Sequence, residues 1–190
     1  NLREIFHAPP MPTLRQPKNL RRMLCTSRLA PVKRLDRVRR GTHKTAPGWK
    51  KCGKPCHICP FTLPDSSELV GQVNGYKHTL TEPVSCETAN CIYYWRCVKP
   101  ICADYPECEY IGMTSRTFKE RMGEHRDYPK RDVLTEPSGE HFNKRGHTVA
   151  DLKGQVLEKV RSKDPFILRA RESMLIQKFD TYRQGLNRET

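Results

Sequence analysis

The stretch Tyr110-Ile-Gly-Met-Thr-Ser-Arg-Thr-Phe-Lys-Glu-Arg-Met-Gly-Glu-His125 decides the fold of this 190-residue chain. It begins with the apolar end of a short strand that closes on Gly112. A loop from Gly112 to Thr117 is then expected to lead into a helix. On that helix Arg121 and His125 are four residues apart, so their side chains lie on one face. A guanidinium and an imidazole placed together beside a strand end indicate a site as well as a fold segment.

Two other segments predict the strands that complete a sheet. The sequence Cys91-Ile-Tyr-Tyr-Trp-Arg-Cys97 is rich in aromatic and β-branched residues and predicts a central strand, with Glu109-Tyr-Ile-Gly112 as its antiparallel partner. Residues 154–161 alternate apolar and polar side chains and predict a third strand. We therefore expect an α+β fold, with a small three-stranded antiparallel sheet flanked by helices.

A long helix is predicted to begin at Asp164-Pro165, an N-cap followed by a first helical position, and to run to about Tyr182. Its apolar stripe consists of four side chains, Leu168, Leu175, Ile176 and Phe179. Glu172 falls within this stripe. A carboxylate in that position needs an ion pair, with Arg169 or Arg171, or a metal ion.

Charge is distributed unevenly along the chain. The formal net charge is +14, and residues 1–51 carry fourteen Lys or Arg against two acidic residues, which leaves a net charge of only +2 on residues 52–190. The densest basic run contains five cationic side chains, Lys33, Arg34, Arg37, Arg39 and Arg40. A solvated linker or a nuclear-import signal is one interpretation of such a run. We favour contact with nucleic-acid phosphates, and so expect residues 1–51 to form a basic, extended nucleic-acid-binding arm.

Nine cysteines are a heavy and odd count for a basic chain of this length, which favours metal ligands over disulfides. Three of them, Cys52, Cys56 and Cys59, are spaced Cys-x3-Cys-x2-Cys in a Gly/Pro-rich loop that lets thiolates converge on one metal ion. Cys86, which follows a predicted hairpin over residues 70–81, is the expected fourth ligand. His57 and Cys91 are alternatives. Residues 52–90 are thus predicted to be a zinc-binding linker.

A second set of possible zinc ligands lies between the two paired strands and beyond them. The connection holds Cys97, Cys102 and Cys108, and a later Gly-containing loop holds His141 and His147. Two histidines at this spacing are often ordinary surface residues, but together with the cysteines they indicate a Cys2His2 zinc site. The sequence leaves open which two cysteines take part. No run of about 18 apolar residues is present, so no membrane partner is expected.

Together these features make the chain resemble the GIY-YIG endonuclease superfamily. Residues 91–190 would form the GIY-YIG-like endonuclease domain, with the Cys/His zinc site as an insertion. The matching features are a strand ending in Ile-Tyr, a second strand reading Tyr-Ile-Gly-x-Thr, the Arg-x3-His helix, a later helical Glu and a terminal Asn. Cysteines between the strands and paired histidines afterwards resemble the endonuclease domain of Penelope-like retroelements. The upstream arm and cysteine loop resemble the linker between reverse transcriptase and endonuclease in those elements. The chain departs from the pattern at Cys91, where the superfamily has Gly, but this costs little at a strand start.

The resemblance implies a nuclear, metal-dependent DNA endonuclease. It would nick target DNA and supply a 3′-hydroxyl primer to a reverse transcriptase domain normally present in the same polypeptide, with element RNA as a further possible partner. The alternatives are a non-catalytic zinc-dependent nucleic-acid-binding module and a cellular repair or recombination nuclease of the same superfamily.

The resemblance also implies roles for individual residues. Glu172 would hold a catalytic Mg²⁺ or Mn²⁺ ion, and zinc would be structural. Tyr93 and Tyr110 would activate the attacking water. Arg121 would bind the scissile phosphate, and His125 would assist proton movement. Asn187 would stabilise the site by hydrogen bonding, and Arg116 would contact the DNA backbone.

Overall fold

The computed structural model describes residues 46–102, 107–162 and 164–188. The chain divides into two units, residues 1–44 and 45–190. The described residues all belong to the second unit. The five basic residues predicted to contact phosphates, Lys33, Arg34, Arg37, Arg39 and Arg40, lie outside the described residues.

The N-terminal part of the described chain forms two small sheets. Strand β1 (Gly48–Trp49) pairs in parallel with β4 (Pro83–Val84), and β2 (Glu68–Val70) pairs antiparallel with β3 (Lys77–Thr79). The second pair is the predicted hairpin. It turns through Gly75, which has a φ of +67°, a conformation that glycine adopts without steric cost.

The main sheet has three antiparallel strands in the order β6-β5-β7, so the α+β prediction is confirmed. Strand β5 (Ala89–Cys97) is central, between β6 (Glu109–Thr117) and β7 (Leu152–Lys159). Side chains alternate between the two faces of β5. Tyr93 and Trp95 lie in one buried cluster, and Ile92 and Tyr94 lie in the other.

The predicted loop from Gly112 to Thr117 is wrong. Strand β6 continues to Thr117, which pairs with Ala89, and helix α1 (Phe118–Asp127) follows without a gap. A capping box makes this direct junction possible: Thr117 accepts a hydrogen bond from the backbone N–H of Glu120, and the Glu120 carboxylate accepts from the Thr117 N–H at 2.9 Å.

Two further α-helices are present in the described chain, α2 (Pro137–Phe142) and α3 (Pro165–Phe179). Helix α3 begins as predicted, because the Asp164 carboxylate accepts from the backbone N–H of Phe166 at 2.9 Å. It ends three residues before the predicted Tyr182, since Asp180 adopts a left-handed conformation with a φ of 55°. None of the helices among the described residues is long and apolar enough to cross a membrane.

The cysteine-rich linker shares a core with the main sheet. Trp49 from β1 and Ile58 from the cysteine loop are fully buried in the same cluster as Tyr93 and Phe118. The Trp49 and Phe118 rings meet edge to face with their centroids 5.4 Å apart. The linker segment from residue 46 onward is therefore part of one packed unit with the sheet.

Candidate active site and metal centres

Two tyrosines on neighbouring strands face the same side of the sheet. The ring centroids of Tyr93 on β5 and Tyr110 on β6 are 6.3 Å apart. Gly112 lies opposite Tyr93 in the sheet register. A Cβ atom there would lie 2.6 Å from Tyr93 Cζ and 2.7 Å from Tyr110 Cε1. The glycine is therefore required by the close approach of the two rings, and not by a turn.

Helix α1 brings a guanidinium and an imidazole to the Tyr93 hydroxyl. Arg121 Nε donates to the Tyr93 oxygen at 3.1 Å, and His125 Nε2 lies 2.8 Å from the same oxygen. Burial raises the pKa of Tyr93 well above its ordinary value, and the nearby Tyr110 acts in the same direction, whereas Arg121 opposes the rise. Tyr93 is therefore a neutral phenol at pH 7, with a cation at its oxygen.

The Arg121 side chain is only 19% exposed and is held on several sides. Its Nη1 donates to Glu124 at 2.8 Å and to the Tyr128 hydroxyl at 3.0 Å, and its Nη2 lies 3.8 Å from Glu136. These three partners were not identified from the sequence. Only Glu124 offered a signal, the three-residue spacing from Arg121 on one helix. The ion-pair contact of Nη2, at 3.8 Å, is longer than that of Nη1, at 2.8 Å, and Arg121 also forms a hydrogen bond with Tyr110.

His125 is fully buried, and its second ring nitrogen also has a partner. Nδ1 lies 3.1 Å from the hydroxyl oxygen of Ser138 on α2. Burial and the charge of Arg121 lower the pKa of His125 well below its usual range, so the ring is neutral at pH 7. Ser138 was not predicted, because nothing in its local sequence distinguishes it from an exposed serine.

Glu172 projects from the half-buried side of α3. Its pKa is raised by burial, while the Met113 backbone N–H and the charges of Arg169 and Arg121 favour ionisation. Arg171, one of the two suggested ion-pair partners, instead contacts Glu158 at 2.6 Å. No ion pair of 4 Å or less involves Glu172 within the described ranges. The carboxylate thus belongs to the electrostatic environment of Tyr93 and Tyr110.

The Asn187 side chain forms two hydrogen bonds with the backbone of β6, an edge strand of the sheet. Its side-chain amide donates to the Ile111 carbonyl at 2.7 Å and accepts from the Ile111 N–H at 3.0 Å. This pair of bonds holds the chain after α3 against the strand that carries Tyr110.

Arg116 lies on β6 and not in a loop, and its guanidinium contacts Glu124 at 2.6 Å.

Four cysteines of the linker converge. The sulfur atoms of Cys52, Cys56, Cys59 and Cys86, which we call the four-cysteine group, all lie within 4.8 Å of one another. The Sγ atoms of Cys52 and Cys86 are each 3.6 Å from that of Cys59, close to the separation of about 3.8 Å that tetrahedral Zn–S bonds of about 2.3 Å require. Cys91 is outside the group, and its Sγ faces the Thr88 carbonyl at 3.6 Å. The four-cysteine group is compatible with structural zinc.

A second group is compatible with zinc and contains two cysteines and two histidines. Its ligand atoms, all within 4.8 Å of one another, belong to Cys97, Cys102, His141 and His147. Cys102 Sγ lies 3.7 Å from His141 Nε2 and 3.0 Å from His147 Nε2. Burial lowers the pKa of His141 to about 4, which leaves the neutral ring that metal ligation needs. Cys108 lies beside Cys102 but is not part of this Cys2His2 group.

Comparison of the chain with protein-family models, curated proteins and solved structures found no match.

Proposed function

We propose that this chain is a metal-dependent DNA endonuclease of the GIY-YIG type, most similar to the endonuclease of a Penelope-like retroelement. One observation carries the proposal: the buried hydroxyl of Tyr93 contacts both Arg121 Nε at 3.1 Å and His125 Nε2 at 2.8 Å. A buried phenol held between a cation and a neutral imidazole is arranged for proton transfer, which a purely structural tyrosine does not need.

The residues of the site fit a single divalent cation. Mg²⁺ commonly binds through one or two carboxylates and retains several waters. Glu172 is a half-buried carboxylate with no ion pair among the described residues, so it could act as the one carboxylate ligand of the cation. When bound, the ion would polarise the phosphate and stabilise the leaving oxygen. Mn²⁺ has the same preference for oxygen ligands.

Tyr93 would take the proton of the attacking water as its own proton passes to His125 Nε2. The Arg121 Nε–H bond would stabilise negative charge on the phenol oxygen during this transfer. Arg121 Nη2 would bind a non-bridging oxygen of the scissile phosphate, because Nη1 is already held by Glu124 and Tyr128. Tyr110, whose ring centroid lies 6.3 Å from that of Tyr93 and which is less deeply buried, would be the second candidate for activating the attacking water.

The two zinc-compatible groups would act as scaffold. The four-cysteine group lies in the linker that packs against α1, and the Cys2His2 group joins the connection after β5 to α2 and the loop that follows it. The basic residues that precede β1 would track DNA or element RNA phosphates. We expect the chain to act in the nucleus, with a reverse transcriptase domain in the same polypeptide that extends the nicked 3′-hydroxyl.

A nicking assay on supercoiled plasmid tests the proposal. The intact chain should relax plasmid in Mg²⁺ and not in EDTA. Glu172→Gln should lower the rate about 100-fold or more, since the ion contributes several kcal/mol to the transition state. Glu68→Gln, at an exposed position on β2, is the matched control and should nick as the wild type does. Equal nicking by all three proteins, or binding of plasmid without Mg²⁺-dependent nicking, would contradict the proposal, and the second result would favour a non-catalytic binding module.

A further inference from the structure

Ser138 has one notable contact and no role in the function proposed above. Its hydroxyl oxygen lies 3.1 Å from His125 Nδ1, and both residues are 0% exposed. The backbone of α2 is closely packed at this point, because a Cβ atom at the adjacent Gly139 would overlap the Val133 carbonyl group. The contact therefore lies in a closely packed and fully buried part of the fold.

A neutral imidazole has one N–H donor and one unprotonated acceptor nitrogen, so the two ring nitrogens of His125 cannot have the same role. At the Tyr93 oxygen, Arg121 Nε can only donate. The neutral phenol must then direct its hydrogen toward His125 Nε2, the other polar atom within hydrogen-bond distance in the described chain. It follows that Nε2 is the acceptor and that Nδ1 carries the proton.

The Nδ1 proton needs an acceptor, and Ser138 Oγ is in place for it. Four titratable or charged groups face the ring, Tyr93 from β5, Tyr110 from β6, and Arg121 and Tyr128 from α1 and the turn after it. None of them is a carboxylate. A serine hydroxyl therefore fills the position that a carboxylate holds beside the histidine in many catalytic sites.

We propose that Ser138 is a positioning residue: its hydroxyl oxygen accepts the Nδ1 proton of His125 and so keeps Nε2 unprotonated toward the Tyr93 hydroxyl. In the proton transfer, the bond between Tyr93 oxygen and hydrogen breaks and the Nε2–H bond forms, while the phenol oxygen gains the proton of the attacking water. The Nδ1–H bond to Ser138 stays intact throughout. The catalytic part of this inference rests on the proposed endonuclease function, whereas the tautomer does not.

The placement of Ser138 also connects proton transfer to the Cys2His2 group. Ser138 and His141 lie three residues apart on α2, so both belong to one short helix. Metal ligation at His141 would hold the helix that presents the Ser138 hydroxyl. A metal ion bound by His141 would thereby help to hold the Ser138 hydroxyl at its distance of 3.1 Å from His125 Nδ1.

The test uses the intact, zinc-loaded chain and two substitutions. Ser138→Ala removes the hydroxyl without adding volume, and Ser138→Thr retains it. Nitrogen-15 NMR of the histidine rings, recorded without DNA, reports which nitrogen of His125 carries the proton. The wild type and Ser138→Thr should show the Nδ1–H form, and Ser138→Ala should populate the Nε2–H form. The nicking rate of Ser138→Ala should fall about 3- to 10-fold, the value of one hydrogen bond, with unchanged zinc content.

An Nε2–H ring in the wild type would overturn the inference, because Ser138 would then donate and not accept. An unchanged tautomer and rate in Ser138→Ala would overturn it as well. Should Ser138→Thr fail to fold, the wild-type and Ser138→Ala spectra decide. If the wild type does not nick DNA, the proposed function fails, while the NMR result still supports or contradicts the tautomer.

Discussion

The backbone N–H of Lys119 donates to the carbonyl oxygen of Cys86 at 3.0 Å, and the N–H of Phe118 donates to the Thr88 carbonyl at 2.8 Å. The first N–H groups of a helix have no partner within the helix. Here the segment that contains Cys86, a member of the four-cysteine group, supplies acceptors for two of them. The linker group is thereby connected to the helix that carries Arg121 and His125.

Loss of the four-cysteine group should therefore destabilise the whole described unit. Cys59 is the residue to change, because its sulfur contacts those of Cys52 and Cys86. Cys59→Ser should lower the zinc content by one ion per chain and the melting temperature by about 10 °C or more, since removal of a structural zinc costs several kcal/mol. Elemental analysis and thermal denaturation measure the two effects.

Cys91→Ser is the matched control for that experiment. Cys91 is as deeply buried as a ligand thiol, and burial raises its pKa to about 12, but it lies outside both metal groups. The zinc content should stay at two ions per chain. A loss of zinc in Cys91→Ser, or its retention in Cys59→Ser, would contradict the ligand assignment.

The ligands of the Cys2His2 group can be distinguished in the same way. Cys102 contacts both histidines, whereas Cys108 lies beside the group. Cys102→Ser should lose one zinc ion and gain exposed, titratable thiols. Cys108→Ser should keep both ions, as measured by elemental analysis after gel filtration. The opposite pattern would place Cys108 in the first coordination sphere.

Two glycine-to-alanine substitutions should have effects of opposite sign. Gly112→Ala would press a methyl group between Tyr93 and Tyr110 and should lower the free energy of unfolding by about 1–3 kcal/mol, because overpacking a core forces side chains out of place. Gly123→Ala, on α1, has its nearest contact at 3.9 Å from Ile58 Cδ1 and should raise stability by about 0.5–1 kcal/mol. Urea denaturation measures both changes, and a stabilised Gly112→Ala protein would contradict the close approach of the rings.

Binding of the divalent cation should depend on pH through Glu172. Burial raises the pKa of this carboxyl, so the metal-free folded protein holds the proton more tightly than the unfolded chain does. The stability that this provides is present at low pH and is lost as pH rises through the raised pKa. The cation binds the ionised form and competes with that proton. Mn²⁺ affinity, measured by titration calorimetry, should therefore decrease as the pH is lowered. The decrease should already begin at a pH above the ordinary glutamate pKa of about 4.3. An affinity that stays constant down to that pH would contradict the assignment of Glu172.

Strong local patterns in the sequence predicted the three main strands and the beginning of α3. Alternation along β5 and the Asp164-Pro165 cap are properties of a few adjacent residues, so they are visible without tertiary contacts. The end of β6 was not predicted, because it depends on the pairing of Thr117 with Ala89, which is distant in the sequence. For the candidate site, spacing on one helix predicted that Arg121 and His125 share a face.

The partners that those two residues find outside α1 could not be predicted. Ser138 and Glu136 come to the site through the packing of α2 and the residue before it against α1, and no periodicity in the sequence records that contact. The burial of His125 could not be predicted from the sequence either. The sequence shows a histidine at position 125, but only the closed packing around it makes the ring neutral.

The most direct test of the central claim compares two adjacent, fully buried tyrosines. Tyr93 lies against Arg121 and His125, whereas the Tyr94 hydroxyl donates to Glu109 at 2.6 Å on the opposite face of the sheet. The measurement is the Mg²⁺-dependent nicking rate of Tyr93→Phe and Tyr94→Phe at a temperature where both proteins are folded. Tyr93→Phe should lose about 10²- to 10⁴-fold, as expected for loss of a general base, while Tyr94→Phe should lose stability and keep the wild-type rate. Wild-type nicking by Tyr93→Phe would contradict the account.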